Sequence, residues 1–293
     1  MNDLPSPEGL IKDHLFEVIA FEVLESTQDT LRELVGLSGR GFGDPAKVVW
    51  ALHQNKGRGR MGQAWTCDPG QGLLASVHLR PEIPLEKAPE WGYRLALAVA
   101  EAIEGYRPGL QVLLKWPNDW VNADGRKIGG LLIESQVQGT CLQEALVGFG
   151  LNLLQKTFGK DLPFATSLLL EQESLPKASK LSPASNPTPA AAPDASELLR
   201  VILKAWSWAL EPGLEGSAEG LWLQKCNQRL WGQGCLCAFD GPEGRHFFEI
   251  QGLASDGGLM VFDPKHASPL VLRHPEYRLL YSQQSANDEP MPV

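Results

Sequence analysis

Apolar residues in the first 160 positions fall mostly in short runs, with one long stretch at helical spacing. Val48 to Leu52 predicts a buried strand that runs directly into HQNKGRGRMGQAW (53–65), and LLASVHL (73–79) predicts the strand that leaves this loop. WGYRLALAVAEAI (91–103) repeats apolar residues every three and four positions and predicts an amphipathic helix packed on a sheet. VLLKW (112–116) and KIGGLLIES (127–135) read as strands on either side of NDWVNADGR, where Asp124-Gly125 suits a tight turn. LQEALVGFGLNLL (142–154) predicts one more. Strands joined by tight turns imply a largely antiparallel sheet with helices packed on one side, an α+β domain.

The stretch 174–193 holds five prolines, five alanines and four serines, a composition without a packable core, so 171–195 reads as a linker or surface insertion. Helical patterns resume at Glu197 to Ala209 and around Glu219 to Arg229. Beyond Trp231 the segments CLCAF, FFEIQGL, LMVFD, LVLR and YRLL alternate with turn-rich stretches, which predicts five strands in a small β-barrel that depends on docking for stability. The expected division is a large domain over 1–230, a small one over 231–283 and a tail over 284–293.

Charge sharpens this picture. The 293 residues carry a formal net charge of −9, so the chain as a whole is unsuited to holding nucleic acid through phosphates, and any anion must be bound locally. Five cysteines without CxxC or Cys/His spacing point to a reducing compartment and no structural metal. The N-terminus lacks a basic region followed by an apolar run, and no run of about 18 apolar residues occurs. The expectation is a cytoplasmic protein with no membrane contact.

Against that acidic background, Lys56, Arg58 and Arg60 interleave with Gly57, Gly59 and Gly62. Glycines let backbone N–H groups approach an anion and the cations add charge-assisted donors, although GxxxxGK[ST] is missing; an exposed solvated loop is the simpler alternative. KWPNDWV (115–121) sets Asn118 and Asp119 at the mouth of a turn, where they either carry chemistry or cap the turn themselves. In GRKIGGLLIES, Gly129-Gly130 near the start of a strand marks either close approach of a ligand or a β-bulge beside a solvated Lys127.

Taken in order, GRGRMGQAW, KWPND, GRKIGGLLIES and GFGLN resemble the signature of biotin protein ligases, also called biotin–[acetyl-CoA-carboxylase] ligases. The similarity runs from STQDT near residue 26 through ATSL (165–168) to the C-terminal segment, leaving out the Pro/Ala/Ser-rich stretch. The resemblance implies a class II synthetase-like catalytic domain followed by an SH3-like barrel. It also implies a two-step reaction: biotin and ATP, with accompanying Mg²⁺, form biotinyl-5′-AMP, and a lysine of a biotin carboxyl carrier protein domain then takes the biotin.

By the same resemblance Ser26, Thr27, Gln28 and Gln54 contact the biotin head, and Ser26 also fits a helix capping box with Asp29. Gly57, Arg58, Gly59 and Arg60 close over biotin and the adenylate phosphate, and Lys127, beside Gly129 and Gly130, reaches the carboxylate and phosphate. Trp65 and Trp116 wall the site or belong to the core. Lys115, Trp116, Asn118, Asn152 and Arg60 face the nucleotide, while Arg58, Lys127 and Asp119 are the expected catalytic groups, Asp119 orienting or deprotonating the attacking lysine. The loop departs from the usual GRGRRGR in Met61 and Gln63, and EYRLL replaces the usual Gly-Glu/Asp-Val ending. About 20 residues precede the first predicted strand, too few for a DNA-binding domain, so a ligase without specific DNA binding is expected, with homodimer formation left open. The rivals are a lipoate or octanoate ligase or transferase, and a non-catalytic biotinyl-AMP sensor.

Overall fold

A computed structural model describes residues 11–12, 15–38, 44–175, 192–209 and 220–281. Most of the Pro/Ala/Ser-rich stretch and the tail from 284 lie outside these residues.

The large sheet contains β1 (Ile11–Lys12), β2 (Phe16–Leu24), β3 (Ala46–Gln54), β4 (Gly72–Leu79), β5 (Ile83–Pro84), β6 (Leu113–Lys115), β7 (Asp119–Val121), β8 (Lys127–Gln138) and β9 (Cys141–Asn152). Its order is β1-β2-β3-β4-β9-β8-β7-β6, with β5 on the far part of β9. Every pair is antiparallel except β2–β3. That parallel pair needs a crossover, supplied by α1 (Thr27–Ser38).

α2 (Ala88–Tyr106) starts with Pro89 in its first turn and buries Trp91, Leu95, Val99 and Ile103, a stripe at helical spacing. With α4 (Ala195–Ala209) it covers one face of the sheet, and Trp206 donates from Nε1 to the Leu95 carbonyl at 3.1 Å. Strand alternation sends Val18, Val48, Ala75 and Val147 to this face. Their neighbours Phe21, Val49 and Ala51 pack with Leu31 of α1 in a separate cluster on the opposite face. The expected layer of helices on one face is therefore present, and α1 is an addition behind it. Between β7 and β8 the predicted turn forms, with Gly125 in the left-handed region at φ +77° and its Cα against the Trp231 ring.

α3 (Leu168–Ser174) is capped by Ser167, whose Oγ accepts from the Leu170 N–H. After α5 (Leu221–Gln228) come β10 (Leu236–Gly241), β11 (Gly244–Leu253), β12 (Leu259–Asp263), β13 (Ser268–Leu272) and β14 (Arg278–Leu279). They form a second, antiparallel sheet of order β13-β12-β11-β10-β14. Its buried Phe239, Ile250, Leu259 and Val261 are continuous with the main core, so the small sheet rests on the large domain. Among the described residues no helix is long and apolar enough to cross a membrane.

Candidate active site

Sheet register brings the sequence motifs together. One row across the sheet reads Asp119, Gly130, Gly150, Leu74 and Ala51 on β7, β8, β9, β4 and β3. A neighbouring row reads Leu132, Gly148, Ser76 and Val49. Gly130, Gly150 and Gly148 have no side chains where a ridge would stand, so they floor a trough on the α1 face. Other side chains lie over this floor: a Cβ on Gly150 would meet Trp65 Cε2 at 2.5 Å, and one on Gly148 would strike the Gln28 side chain. The spacing G-x-G in GFGLN places Gly148 and Gly150 on one face, a period-two signal that sequence reasoning left unused in favour of Asn152.

Gly129 points the other way. A bulge between β7 and β8 sets Trp120 opposite Gly129 and Val121 opposite Lys127, leaving Ile128 as the extra residue. A Cβ at Gly129 would run into the Gly150 carbonyl and the side chains of Leu151 and buried Trp120. Gly129 thus permits close strand packing, while Gly130 adjoins Asp119 and Lys127.

At one end of the trough lies a polar group around the start of α1. Gln54 Oε1 accepts from Thr27 N–H at 2.7 Å and Thr27 Oγ1 at 3.0 Å, and the Thr27 hydroxyl also meets Ser76 Oγ at 2.8 Å. Ser26, Thr27, Gln28 and Ser76 are all buried. Ser26 caps α1 loosely, its Oγ accepting from Asp29 N–H at 3.4 Å, so the capping role exists alongside any ligand role. Buried Ser76 was absent from the sequence-based site; as a polar residue, like His78, in the otherwise apolar strand LLASVHL it was the available clue.

At the other end is a charged cluster. Lys127 Nζ lies 2.8 Å from Asp119 Oδ1 and 5.6 Å from the Trp65 ring centroid, while the Tyr281 hydroxyl donates to Asp119 Oδ2 at 2.7 Å. Burial by itself would raise the Asp119 pKa, but the charges of Lys127 and Lys115 and the hydrogen bonds from Lys127 and Tyr281 outweigh it and hold the carboxylate below its ordinary value. Lys115 is buried, donates to the Leu279 carbonyl at 2.6 Å and lies 4.2 Å from the Tyr281 ring centroid. Burial pushes its pKa down to about 8 despite the pull of Asp119. Its amine is committed to the C-terminal segment rather than to open space.

The basic loop lies across the trough. The Gly57 carbonyl accepts from Trp65 N–H at 2.9 Å, and Arg58 pairs with Ala64 in a short bridge, so the loop is a closed hairpin. Its backbone crosses Gly57 so closely that a Cβ there would hit the Trp65 carbonyl. Arg58 pairs with Asp29 and with Glu134, and Arg32 shares both acids. Burial lowers the pKa of Arg60, opposed by Asp119 and Tyr93, and its Nη2 donates to His274 Nδ1 at 2.7 Å. Met61, with φ +53°, occupies the left-handed region that glycine favours, as does Gly62 next to it at φ +74°.

The remaining predicted residues hold scaffolding bonds. Trp116 is buried and donates to the Gly257 carbonyl at 3.2 Å, and the Asn118 amide donates to the Leu131 carbonyl at 2.6 Å. Asn152 ends β9 with Nδ2 on the Thr166 carbonyl at 2.9 Å, tying the ATSL segment beside the trough. Tyr281 and His274 were not foreseen; they reach the site from the segment after β14 and from the β13–β14 connection, where no local pattern marks them. Among the described residues no group of three or more His, Cys, Asp or Glu could hold a metal ion.

Comparison with known proteins matches this architecture. Residues 20–152 fit the model of the "Biotin/lipoate A/B protein ligase family". The "Bifunctional ligase/repressor BirA" of Bacillus subtilis (strain 168) is 37% identical over 139 residues, covering 47% of this chain and 41% of that protein. A biotin–[acetyl-CoA-carboxylase] ligase of Paracoccus denitrificans is 34% identical over 126 residues, 43% of this chain and 49% of that protein. The aligned region thus spans less than half of each of these two relatives. The structure of a biotin protein ligase from Aquifex aeolicus in complex with biotin and ATP superposes with a TM-score of 0.68 at 24% identity, over 90% of this chain and 99% of the other, which establishes the shared fold. The part of the chain that is similar to the biotin/lipoate A/B protein ligase family, residues 20–152, holds most of the large sheet together with the trough and the basic loop.

Proposed function

We propose that this chain is an ATP-dependent biotin protein ligase. In the first step a biotin carboxylate oxygen attacks the α-phosphorus of ATP, forming biotinyl-5′-AMP and expelling pyrophosphate. In the second, the neutral amine of a lysine on a biotin carboxyl carrier domain attacks the acyl carbon, AMP leaves and the amine loses a proton. Residues 1–230 form the catalytic domain in this reading and 231–283 the small domain docked on it.

The observation that carries the reading is the two-ended trough. The cluster of Ser26, Thr27, Gln28, Gln54 and Ser76 presents both hydrogen-bond donors and acceptors. A cyclic urea, with N–H donors flanking a carbonyl acceptor, satisfies such a cluster, and the dithiolane of lipoate or the tail of octanoate does not. A site built to hydrogen-bond its substrate discriminates strongly against analogues lacking those groups. That favours biotin over the lipoate and octanoate alternatives.

The opposite end suits the reacting groups. Two unit charges of like sign at about 4 Å repel by about 4 kcal/mol at an effective dielectric of 20, so joining a carboxylate to a triphosphate requires opposing cations. Lys127 is positioned to serve the carboxylate and α-phosphate, with Arg60 and the Gly57–Gly62 backbone closing over the adenylate. Arg58, now engaged by Asp29 and Glu134, would exchange those acids for the ligand. ATP is the cosubstrate, and Mg²⁺ would travel with its phosphates, held by them and by water, and would offset their charge. Asp119, an ionised and largely covered carboxylate, orients the incoming ammonium and accepts its proton once Lys127 has moved to the acyl phosphate.

Biotin-dependent exchange of labelled pyrophosphate into ATP, without carrier protein, tests the first step, with lipoate and octanoate in parallel. Exchange with biotin alone is expected. Exchange with either other acid redirects the assignment, and none with any acid refutes adenylation.

A further inference from the structure

We infer that Tyr281, contributed by the segment that follows the small sheet, is a positioning residue that fixes the reactive carboxylate of Asp119. This rests on the ligase reading above and adds to it a residue from outside the domain that carries the family motifs.

Asp119 has two oxygens and two different partners. Lys127 Nζ holds Oδ1 at 2.8 Å and the Tyr281 hydroxyl holds Oδ2 at 2.7 Å. Lys127 is the partner that must let go when a ligand's anionic groups arrive. Tyr281 carries no charge to be drawn away, so its bond survives that exchange and keeps the carboxylate plane from turning. Burial, together with the neighbouring Asp119 charge, raises the phenol's pKa, so it stays a donor across the working pH range.

The ring is itself held firmly. It stacks on Phe164 with centroids 5.6 Å apart and planes 12° from parallel, and Lys115 Nζ sits 4.2 Å from its centroid. Lys115 in turn donates to the Leu279 carbonyl, two residues before Tyr281, at 2.6 Å. The hydroxyl is therefore a fixed point built from three separate segments, 113–119, 164 and 279–281. Fixed second partners of this kind are what hold a reactive side chain to a productive orientation.

Tyr281→Phe removes only the hydroxyl and retains the ring stack and the cation contact. A hydrogen bond to a charged group contributes about 1.5–3 kcal/mol, so transfer of biotin from preformed biotinyl-5′-AMP to a carrier domain should slow roughly tenfold or more. The acid limb of its pH profile should move upward, because the carboxylate has lost a donor that favours its charged form. Transfer is measured for wild type, Tyr281→Phe, Asp119→Asn and the double variant, with melting temperature as a control. If Tyr281 acts through Asp119, the hydroxyl matters in the wild-type background and has no further effect in the Asp119→Asn background. Equal losses in both backgrounds, or an unshifted acid limb in Tyr281→Phe, would overturn the inference. The Asp119 carboxyl, titrated by carbon NMR in ligand-free wild type and Tyr281→Phe, reads the hydrogen bond without turnover: an upward shift in the variant is expected, and none refutes the bond. Should the wild-type protein lack biotin-dependent exchange, the ligase reading fails while this titration still decides the contact.

Discussion

Gly129 and Gly150 sit opposite each other's neighbours on β8 and β9, yet alanine should act differently at the two. At Gly150 the new methyl meets the Trp65 indole, with Cε2, Cζ2 and Nε1 at 2.5, 2.7 and 2.9 Å. That obstacle is the end of a half-buried side chain, which can swing outward. Overpacking of this kind costs about 1 kcal/mol at the low end of its range, and the reduced freedom of the unfolded chain on Gly→Ala returns about 0.4–1 kcal/mol. Gly150→Ala should therefore keep its melting temperature within about 3 °C of wild type, at about 2–4 °C per kcal/mol for a domain of this size. At Gly129 the methyl meets the Gly150 carbonyl, part of a central sheet, together with Leu151 and buried Trp120. None of these can yield cheaply, so about 3 kcal/mol or more and a fall of about 10 °C are expected. Function should invert the order of severity relative to stability: displacing the indole opens the wall of the trough, and biotin affinity of the stable Gly150→Ala protein should fall at least about tenfold by titration calorimetry, about 1.4 kcal/mol. Equal thermal losses at the two positions, or undiminished biotin binding by Gly150→Ala, would refute the placement of Trp65 over the trough floor.

Three further outcomes follow from the charged groups. Lys127→Met leaves Asp119 with Tyr281 and the nearby Lys115 charge but without its ion-pair partner; pyrophosphate exchange should drop about a hundredfold or more, and near-normal exchange would remove Lys127 from the chemistry. Asp29→Asn combined with Glu134→Gln releases Arg58 and should lower KM for ATP severalfold at low salt, an effect absent if Arg58 does not meet the nucleotide. Lys115 has a folded pKa of about 8 against an ordinary 10.5, so between those values the unfolded chain binds more protons and stability rises with pH. Because the thiols of Cys67, Cys226 and Cys237 are pushed upward and act in the opposite sense, the test is the difference between wild type and Lys115→Met. That difference should move in favour of wild type by about 3 kcal/mol from about pH 8 to about pH 10.5, and a flat difference would show that folding does not desolvate the amine.

Local periodicity carried much of the architecture. The α2 stripe, the alternating C-terminal segments and the Asp124-Gly125 turn each express a rule that operates within a dozen residues. The parallel pairing of β2 with β3 was hidden because it depends on which edge a crossover returns to, even though Leu31, Leu34 and Val35 mark an apolar stripe on α1. Gly129 and Gly130 illustrate a subtler loss. Counting alternation forward from Lys127 misjudges their faces, because the bulge at Ile128 resets the parity; counting back from Leu131 and Ile133 gives Gly129 to the core. The basic loop was legible as a local charge pattern, but the acids holding Arg58 stand 29 and 76 residues away. His274 and Tyr281, separated by 214 and 162 residues from Arg60 and Asp119, leave no mark that sequence alone can register.

Those long separations bear on how the protein comes into being. A chain emerging from the ribosome can pair β2 through β9 once residue 152 is out, with their trough and basic loop. Lys115 and Asp119 then stand without Leu279 and Tyr281 until another 130 or so residues have been made, about 6–26 s at about 5–20 residues per second. Throughout that interval Lys115 lacks its carbonyl acceptor and Asp119 is held by Lys127 alone. In the proposed ligase, the order of translation thus supplies the residues of the ligand cradle before those that fix its reactive corner.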